Sequence, residues 1–294
     1  MSILGHPNID KAARIFNQTV IKMKDSELLL NYIILDVDFE YKEHTKYPGI
    51  PCRVDDNVDI YPLKGTSIIT GCEYVVAKSM GCKLYVKDGI LIPFKRYSES
   101  ELKSYFKKGD IALKNKVIKK SSNLIGYKAP FRNIISDLQS KRKKYPKKTF
   151  YNYMYKEIGN SIYGQVAMGI SGKNHFDVKS QGFVKVEGGL LSNPILSSYI
   201  TGFTRALISE CMHNIQSLGG NIVSVTTDGF ITDVTDLENK LIKLDKEKIN
   251  CLNIYKEIRK ILTVSSTTEN DEINYEYDDR ALEIKTEEYL GLIS

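Results

Sequence analysis

Lys156-Glu157-Ile158-Gly159-Asn160-Ser161-Ile162-Tyr163-Gly164 is the stretch that decides how this chain is read. Its outline is K-x-x-x-N-S-x-Y-G. Asn160 and Tyr163 lie four and seven residues after Lys156, so on a helix the three share one face. A cation, an amide and a phenol ring on one stripe suit a nucleoside triphosphate. The cation meets phosphate, the amide makes directed hydrogen bonds, and the flat ring meets a base or sugar. Gly164 leaves room for close backbone approach. The bland alternative is an amphipathic helix carrying a lysine by chance. Five fixed positions in nine weigh against it.

Working outward, Asn221-Ile222-Val223-Ser224-Val225-Thr226-Thr227-Asp228-Gly229-Phe230-Ile231-Thr232 has two β-rich runs around a Thr-Asp-Gly turn. That is a hairpin signal. A carboxylate at such a tip is exposed and firmly held, as a metal ligand needs to be, although most Asp-Gly turns are only turns. Between the two motifs, Asn193-Pro194 opens an apolar periodicity through Ile195, Leu196, Ile200, Phe203, Leu207, Ile208, Cys211 and Ile215. It predicts a long amphipathic helix. Most of those positions are core, and Arg205 in Thr201-Gly202-Phe203-Thr204-Arg205 is the one singled out for a ligand. Further on lies Lys285-Thr286-Glu287-Glu288-Tyr289-Leu290-Gly291.

Together these segments resemble the family B DNA polymerases. The Lys156–Gly164 run resembles motif B, on the fingers helix. Thr226-Thr227-Asp228-Gly229 resembles motif C, with Asp228 at the second aspartate and Thr226 replacing the first. Thr201–Arg205 resembles the T-x-x-[GA]-R element of the protein-primed branch, with Thr204 in place of a small residue. Lys285–Gly291 has the K-T-x-x-Y-L-G outline, with Glu287 and Glu288 where relatives are basic or glycine. The resemblance implies catalytic roles for Asp228, Lys156, Asn160 and Tyr163. It implies nucleotide contacts for Lys156, Asn160 and either Arg142 or Lys144, which precede Lys156 on the other arm of a helical hairpin. DNA contacts would come from Tyr163, Gly164, Thr201, Arg205 and Lys285. Asp228 would hold Mg²⁺ in a two-metal site, which needs a second carboxylate. No D-x-x-S-L-Y-P run supplies one: Tyr47-Pro48 has the right ending, but Lys42 stands where its aspartate would be. Asp36 and Asp38 are substitutes on a strand, or simply solvent-facing carboxylates.

The expected fold is α+β, a polymerase palm sheet with helical fingers and a β-rich insertion. Residues 1–125 would be the insertion and palm edge, resembling a terminal-protein-docking segment. Residues 126–166 would be the fingers, and 167–294 a second insertion and the palm. Short strands are expected over Tyr32–Tyr41, Val58–Pro62, Ser67–Thr70, Lys83–Val86 and Gly89–Pro93. Helices are expected near Ile9–Phe16, Cys72–Met80, Glu99–Lys107, Leu237–Glu247 and Leu252–Leu262. The exonuclease domain and motif A are expected to be missing in front, so that the chain would be a truncated or split portion needing another chain for motif A, and no thumb is evident after Ser294. Expected partners are primed DNA, deoxynucleoside triphosphates, a terminal protein and an upstream polymerase polypeptide. The rival reading is a non-catalytic DNA- or terminal-protein-binding remnant.

Composition is compatible with this. At 294 residues, 42% hydrophobic, the chain can bury one large core or two modest ones. A net charge of +6 permits nucleic-acid binding without demanding it. Lys141, Arg142, Lys143, Lys144, Lys147 and Lys148 concentrate that charge ahead of Lys156; such runs are often only solvated faces. Cys52, Cys72, Cys82, Cys211 and Cys251 make no C-x-x-C pair, so buried reduced thiols are expected. No stretch has the length of a membrane span. A cytoplasmic setting is expected, the host's if the source is viral, with a mitochondrial plasmid origin left open. The excess of lysine over arginine fits an AT-rich viral or plasmid genome.

Overall fold

The computed structural model describes residues 4–55, 58–96, 129–169, 174–185, 188–226, 229–237, 240–241 and 251–256. They mix helix and antiparallel sheet and fall into two compact units. One takes its described residues from Met1–Pro7 and Phe94–Ile200, the other from Asn8–Pro93 and Thr201–Glu257.

The second unit is built on a four-stranded antiparallel sheet. Its strands are β1 (Ala13–Arg14), β2 (Tyr32–Glu40), β5 (Lys64–Thr70) and β6 (Lys83–Ile92), in the order β1-β6-β2-β5. β2 alternates as a half-buried strand should: Ile33, Leu35, Val37 and Phe39 are buried, while Asp38 and Glu40 face out. Tyr32, Ile33, Leu35, Val37, Ile69 and Val86 lose nearly all exposure, each worth roughly 1.5–3 kcal/mol. Two short strands, β3 (Cys52–Asp55) and β4 (Val58–Ile60), pair with each other.

Helix α1 (Asn17–Val20) and helix α2 (Asp25–Leu30) precede β2. Helix α3 (Gly71–Ser79) follows β5 and starts at a capping box. The Thr70 hydroxyl accepts from Glu73 N, and Thr70 N donates to Glu73 Oε2 at 2.8 Å. Two expectations fail here. Ile9–Phe16 is a single 3₁₀ turn, Ile9–Lys11, followed by β1, because Ala13 and Arg14 pair with Leu91 and Ile90 at the sheet edge. The strands expected at Lys83–Val86 and Gly89–Pro93 are one strand. Gly89 does not break it; a Cβ there would meet Leu35 Cδ2 at 2.6 Å, so the glycine admits a close-packed core side chain.

The other unit contains a helical hairpin. Helix α4 (Arg132–Lys143) packs on helix α5 (Phe150–Val166), with a turn at Tyr145-Pro146. A small hairpin of β7 (Asn174–Asp177) and β8 (Gly182–Lys185) follows. The long helix α6 spans Pro194–Ser217. Its start matches the sequence signal: Asn193 Oδ1 accepts from Leu196 N at 3.0 Å, and Pro194 occupies the first turn.

Strands β9 (Ile222–Val225) and β10 (Phe230–Thr232) form the expected hairpin. Phe230 packs with Cys211, Ile215, Leu237, Leu241 and Leu252 in a separate core cluster. All five cysteines are free, and four of them are buried. The helix expected at Glu99–Lys107 and much of those from Leu237 and Leu252 lie outside the described residues. Among the described residues no helix is long and apolar enough to cross a membrane.

Candidate functional site

The Lys156 stripe lies mid-helix on α5, a rod about 25 Å long at 1.5 Å per residue. Lys156 and Asn160 are exposed and Tyr163 is half-buried. Of the seventeen helical residues only Asn152 and Val166 are buried. The Lys156 ammonium lies 5.6 Å from the centre of the Tyr153 ring, within cation–π range. Gly164 meets nothing within 4 Å of the place a Cβ would occupy, and neither does Gly159. A glycine inside a helix costs about 1 kcal/mol against alanine, and packing within the described residues gives no reason for either one. The face is therefore open, polar and cationic, with backbone accessible beside it.

Asn152 is the residue that sequence reasoning missed here. Its Nδ2 donates to Arg142 O and Tyr145 O, both at 3.1 Å, and its Oδ1 accepts from Arg142 Nε at 3.4 Å. One buried amide thus ties the end of α4 and the turn to α5. Its spacing gave a signal, since Asn152 is four residues before Lys156 on the same stripe. Arg142, expected at a triphosphate, is held at this clamp. Lys144, its alternative, is exposed at the turn.

Arg205 has a firm internal anchor. Its Nε donates to Glu73 Oε1 at 2.7 Å; the Glu73 side chain is 1% exposed and that of Arg205 36%. The other Glu73 oxygen accepts from the Thr70 hydroxyl at 2.8 Å. Burial alone would lower the guanidinium pKa, but the Glu73 charge and hydrogen bond leave it raised. Gly202 is buried against the same cap, where a Cβ would lie 2.5 Å from Thr70 Cγ2. Thr201 lies one turn before Arg205 on α6 and is half-buried. The Gly and Arg of this element thus have a packing role, with Arg205 still reaching solvent.

At the β9–β10 hairpin, Thr226 N donates to Gly229 O at 2.7 Å and the Thr226 hydroxyl donates to the same oxygen at 3.2 Å. Thr226 therefore serves the turn. Asp228 and Thr227 lie outside the described residues, as does Lys285. The base of this hairpin is tied to the loop after β2. Tyr47 Oη accepts from Ile222 N at 2.8 Å, Lys46 N donates to Gln216 Oε1 at 3.2 Å, and Lys46 Nζ donates to Asn221 Oδ1. Tyr47-Pro48 is thus a latch for the hairpin.

Asp36 and Asp38 are neighbours on β2, but an ammonium already serves them. Lys87 is the extra residue of a bulge in β6, where Asp36 faces Asp88 and Val37 faces Val86. Its Nζ lies 3.1 Å from Asp36 and 3.4 Å from Asp38. The Thr66 hydroxyl donates to Asp38 at 2.5 Å and, ahead of Lys87, holds its pKa below the usual carboxylate range. These are exposed, neutralised carboxylates on the outer face of a sheet. Among the described residues no group of three or more His, Cys, Asp or Glu could hold a metal ion. The described donor set does not fit a two-metal centre, and the metal assignment rests on Asp228 alone.

Comparison with known proteins adds one relative. The chain is 30% identical over 200 residues to the primer-independent DNA polymerase PolB of Escherichia coli. The match covers 67% of this chain and 20% of that protein, so the chain spans about a fifth of its relative's length. No family model matches, and no solved structure matches. The chain is thus a relative of a DNA polymerase over two thirds of its own length.

Proposed function

We propose that the chain is the palm-and-fingers part of a family B DNA polymerase of the protein-primed or organellar and viral type. The observation that carries this reading is the open Lys156–Asn160–Tyr163 face on α5, with nothing among the described residues within 4 Å of where a Cβ on Gly164 would stand. The likeness to PolB supports it. In this reading α4 and α5 are the fingers, and Lys156 and Asn160 bind the triphosphate. The primer 3′ hydroxyl attacks the α-phosphate and pyrophosphate leaves. Lys156 offsets charge on the leaving group, Asn160 fixes its orientation, and Tyr163 packs on the nascent base pair. Thr201, Arg205 and Lys285 contact DNA. Asp228, with a second carboxylate from an upstream polypeptide, would hold Mg²⁺, which would supply Lewis acid chemistry there. A terminal protein is a further proposed partner.

Primer extension tests the reading, run with the purified chain alone and with the product of the upstream reading frame added. Lys156→Ala is expected to lower kcat/KM for nucleotide about 10–100-fold, the worth of one charge-assisted contact. Unchanged kinetics in an active assembly would remove the triphosphate role. Asp228→Ala is expected to abolish synthesis.

A second reading has an observation in its favour. Thr226 closes the turn by hydrogen bonds and replaces a carboxylate, which suits a DNA-binding remnant without catalysis. Retained DNA binding with no extension in either mixture would establish it.

A further inference from the structure

The turn of the helical hairpin has a composition that the Asn152 clamp and the Tyr153–Lys156 contact use only in part. Residues 141–155 hold six cations, five aromatic rings and no carboxylate. Lys141 meets Asp137 at 2.8 Å. No ion pair is made by Lys143, Lys144, Lys147 or Lys148 among the described residues, and all four are exposed. Lys141, Arg142 and Lys143 fall in the last turn of α4, where cations suit the helix dipole. That reason does not extend to Lys147 and Lys148 beyond it. Lys148 also takes a left-handed backbone, φ 70°, which disfavours a side chain.

The rings are arranged as well as exposed. Tyr145 stacks on Tyr151, with centroids 4.9 Å apart and planes at 28°, and on Tyr155 at 6.0 Å and 26°. Phe150 stands edge-on to Tyr151 at 5.5 Å. Phe150 is nevertheless 75% exposed, Tyr153 60% and Tyr151 50%. Leaving three large rings in water at one turn, beside uncompensated lysines, is costly unless something covers them. The Asn152 clamp holds the group on a fixed backbone, so little ordering is needed on binding.

We propose that this turn is a platform for single-stranded nucleic acid, with bases stacking on Phe150, Tyr151 and Tyr153 and phosphates meeting Lys143, Lys147 and Lys148. Stacking requires bases with open faces, which a duplex does not offer. In the polymerase reading, on which the identity of the strand rests, this strand is the unpaired template. The platform itself does not depend on that reading.

The test uses the full chain and a fluorescein-labelled oligothymidylate of about 12 nucleotides, within the usual range of single-strand site sizes. Anisotropy is read from about 50 to 200 mM salt. Phe150→Ala with Tyr151→Ala is expected to weaken binding at least about tenfold. Lys147→Glu with Lys148→Glu is expected to weaken it and to reduce the salt slope by about 1.4, at about 0.7 per phosphate contact. Circular dichroism melting should be unchanged for the lysine pair, whose side chains are exposed, and fall only slightly for the ring pair, which gives up the Tyr145–Tyr151 stack. A duplex of the same length should lose affinity with the lysine pair and not with the ring pair. Equal losses on duplex and single strand for the ring pair, or unchanged oligothymidylate binding in both variants, would overturn the proposal. So would vesicles containing phosphatidylserine, or an acidic protein, losing affinity for the variants while the oligonucleotide does not. Lys156→Ala separates the two readings. If it leaves nucleotide kinetics unchanged while the turn variants lose oligothymidylate, the polymerase reading fails and the platform stands. If it impairs nucleotide use while the turn variants bind normally, the reverse holds.

Discussion

The sheet unit and the helical hairpin carry similar residues to opposite ends. In the sheet unit Arg14, Arg53, Lys78, Lys83, Lys87 and Arg205 each meet a carboxylate within 4.0 Å. In the stretch 141–155 only Lys141, of six cations, has an ion pair among the described residues. Exposure does not distinguish the two sets, since Arg14 and Lys83 are as open to water as a typical surface lysine. Compensation does. A cation that the fold matches with its own carboxylate is used up by the fold. A run left unmatched tolerates mild mutual repulsion in water and remains available to an anion from outside. The charge run that is conspicuous in the sequence becomes informative only when its neighbours are known.

The largest effect is expected at Glu73. Glu73→Ala strips Arg205 of its partner and α3 of its cap, and is expected to cost about 3 kcal/mol, read from the urea midpoint. Lys147→Ala and Lys148→Ala should each stay within about 0.5 kcal/mol. If Glu73→Ala is equally silent, matched and unmatched charges do not differ as argued. Asn152→Ala comes next. It removes a donor from Tyr145 O and one from Arg142 O, which keeps the Tyr145 N–H, and is expected to cost about 2 kcal/mol locally, seen as faster amide exchange across α4 and α5. Exchange confined to the ends of the helices would mean the clamp is dispensable.

His213 probes an unmatched buried group in the sheet unit. Burial lowers its pKa, and its buried Nδ1 has no partner among the described residues. The unfolded chain therefore binds a proton that the folded chain resists. Stability is complete above the ordinary histidine value near 6.5 and is lost as pH falls through it. Melting temperature should drop between about pH 7.5 and 5.5, and His213→Gln should flatten that dependence. A slope equal in both proteins would assign it to other groups. The smallest effect belongs to Asp36→Asn and Asp38→Asn. Each is expected to change stability by less than about 1 kcal/mol and, in the proposed polymerase, to leave primer extension intact; loss of extension with stability unchanged would make them metal ligands in that reading.

Periodicity made much of this legible. The alternation of β2, the Pro-broken helical hairpin, the long α6 with its Asn193 cap and the β9–β10 hairpin all follow from local pattern. Local reading misjudged Gly89, because a glycine that admits Leu35 looks the same in sequence as one that ends a strand. At the site, the Lys156 stripe could be read because its members share one helix. The partner of Arg205 could not, since Glu73 lies 132 residues away. A signal was nonetheless present in Thr70-Gly71-Cys72-Glu73, a capping-box spacing. Tyr47 stood out in the sequence only as the ending of an incomplete D-x-x-S-L-Y-P run, and its bond to Ile222 depends on the pairing of residues 8–93 with 201–257.

That latch has a consequence for how the chain is made. Tyr47 and Ile222 are separated by 175 residues, so the ribosome delivers the two halves of the bond roughly 9–35 s apart at 5–20 residues per second. Through that interval the early sheet must wait with Thr70 and Glu73, at the start of α3, uncovered by Gly202 and Arg205, a slow and aggregation-exposed route for a long-range topology. A sequence built this way is expected to depend on a holding chaperone during synthesis more than its modest size suggests.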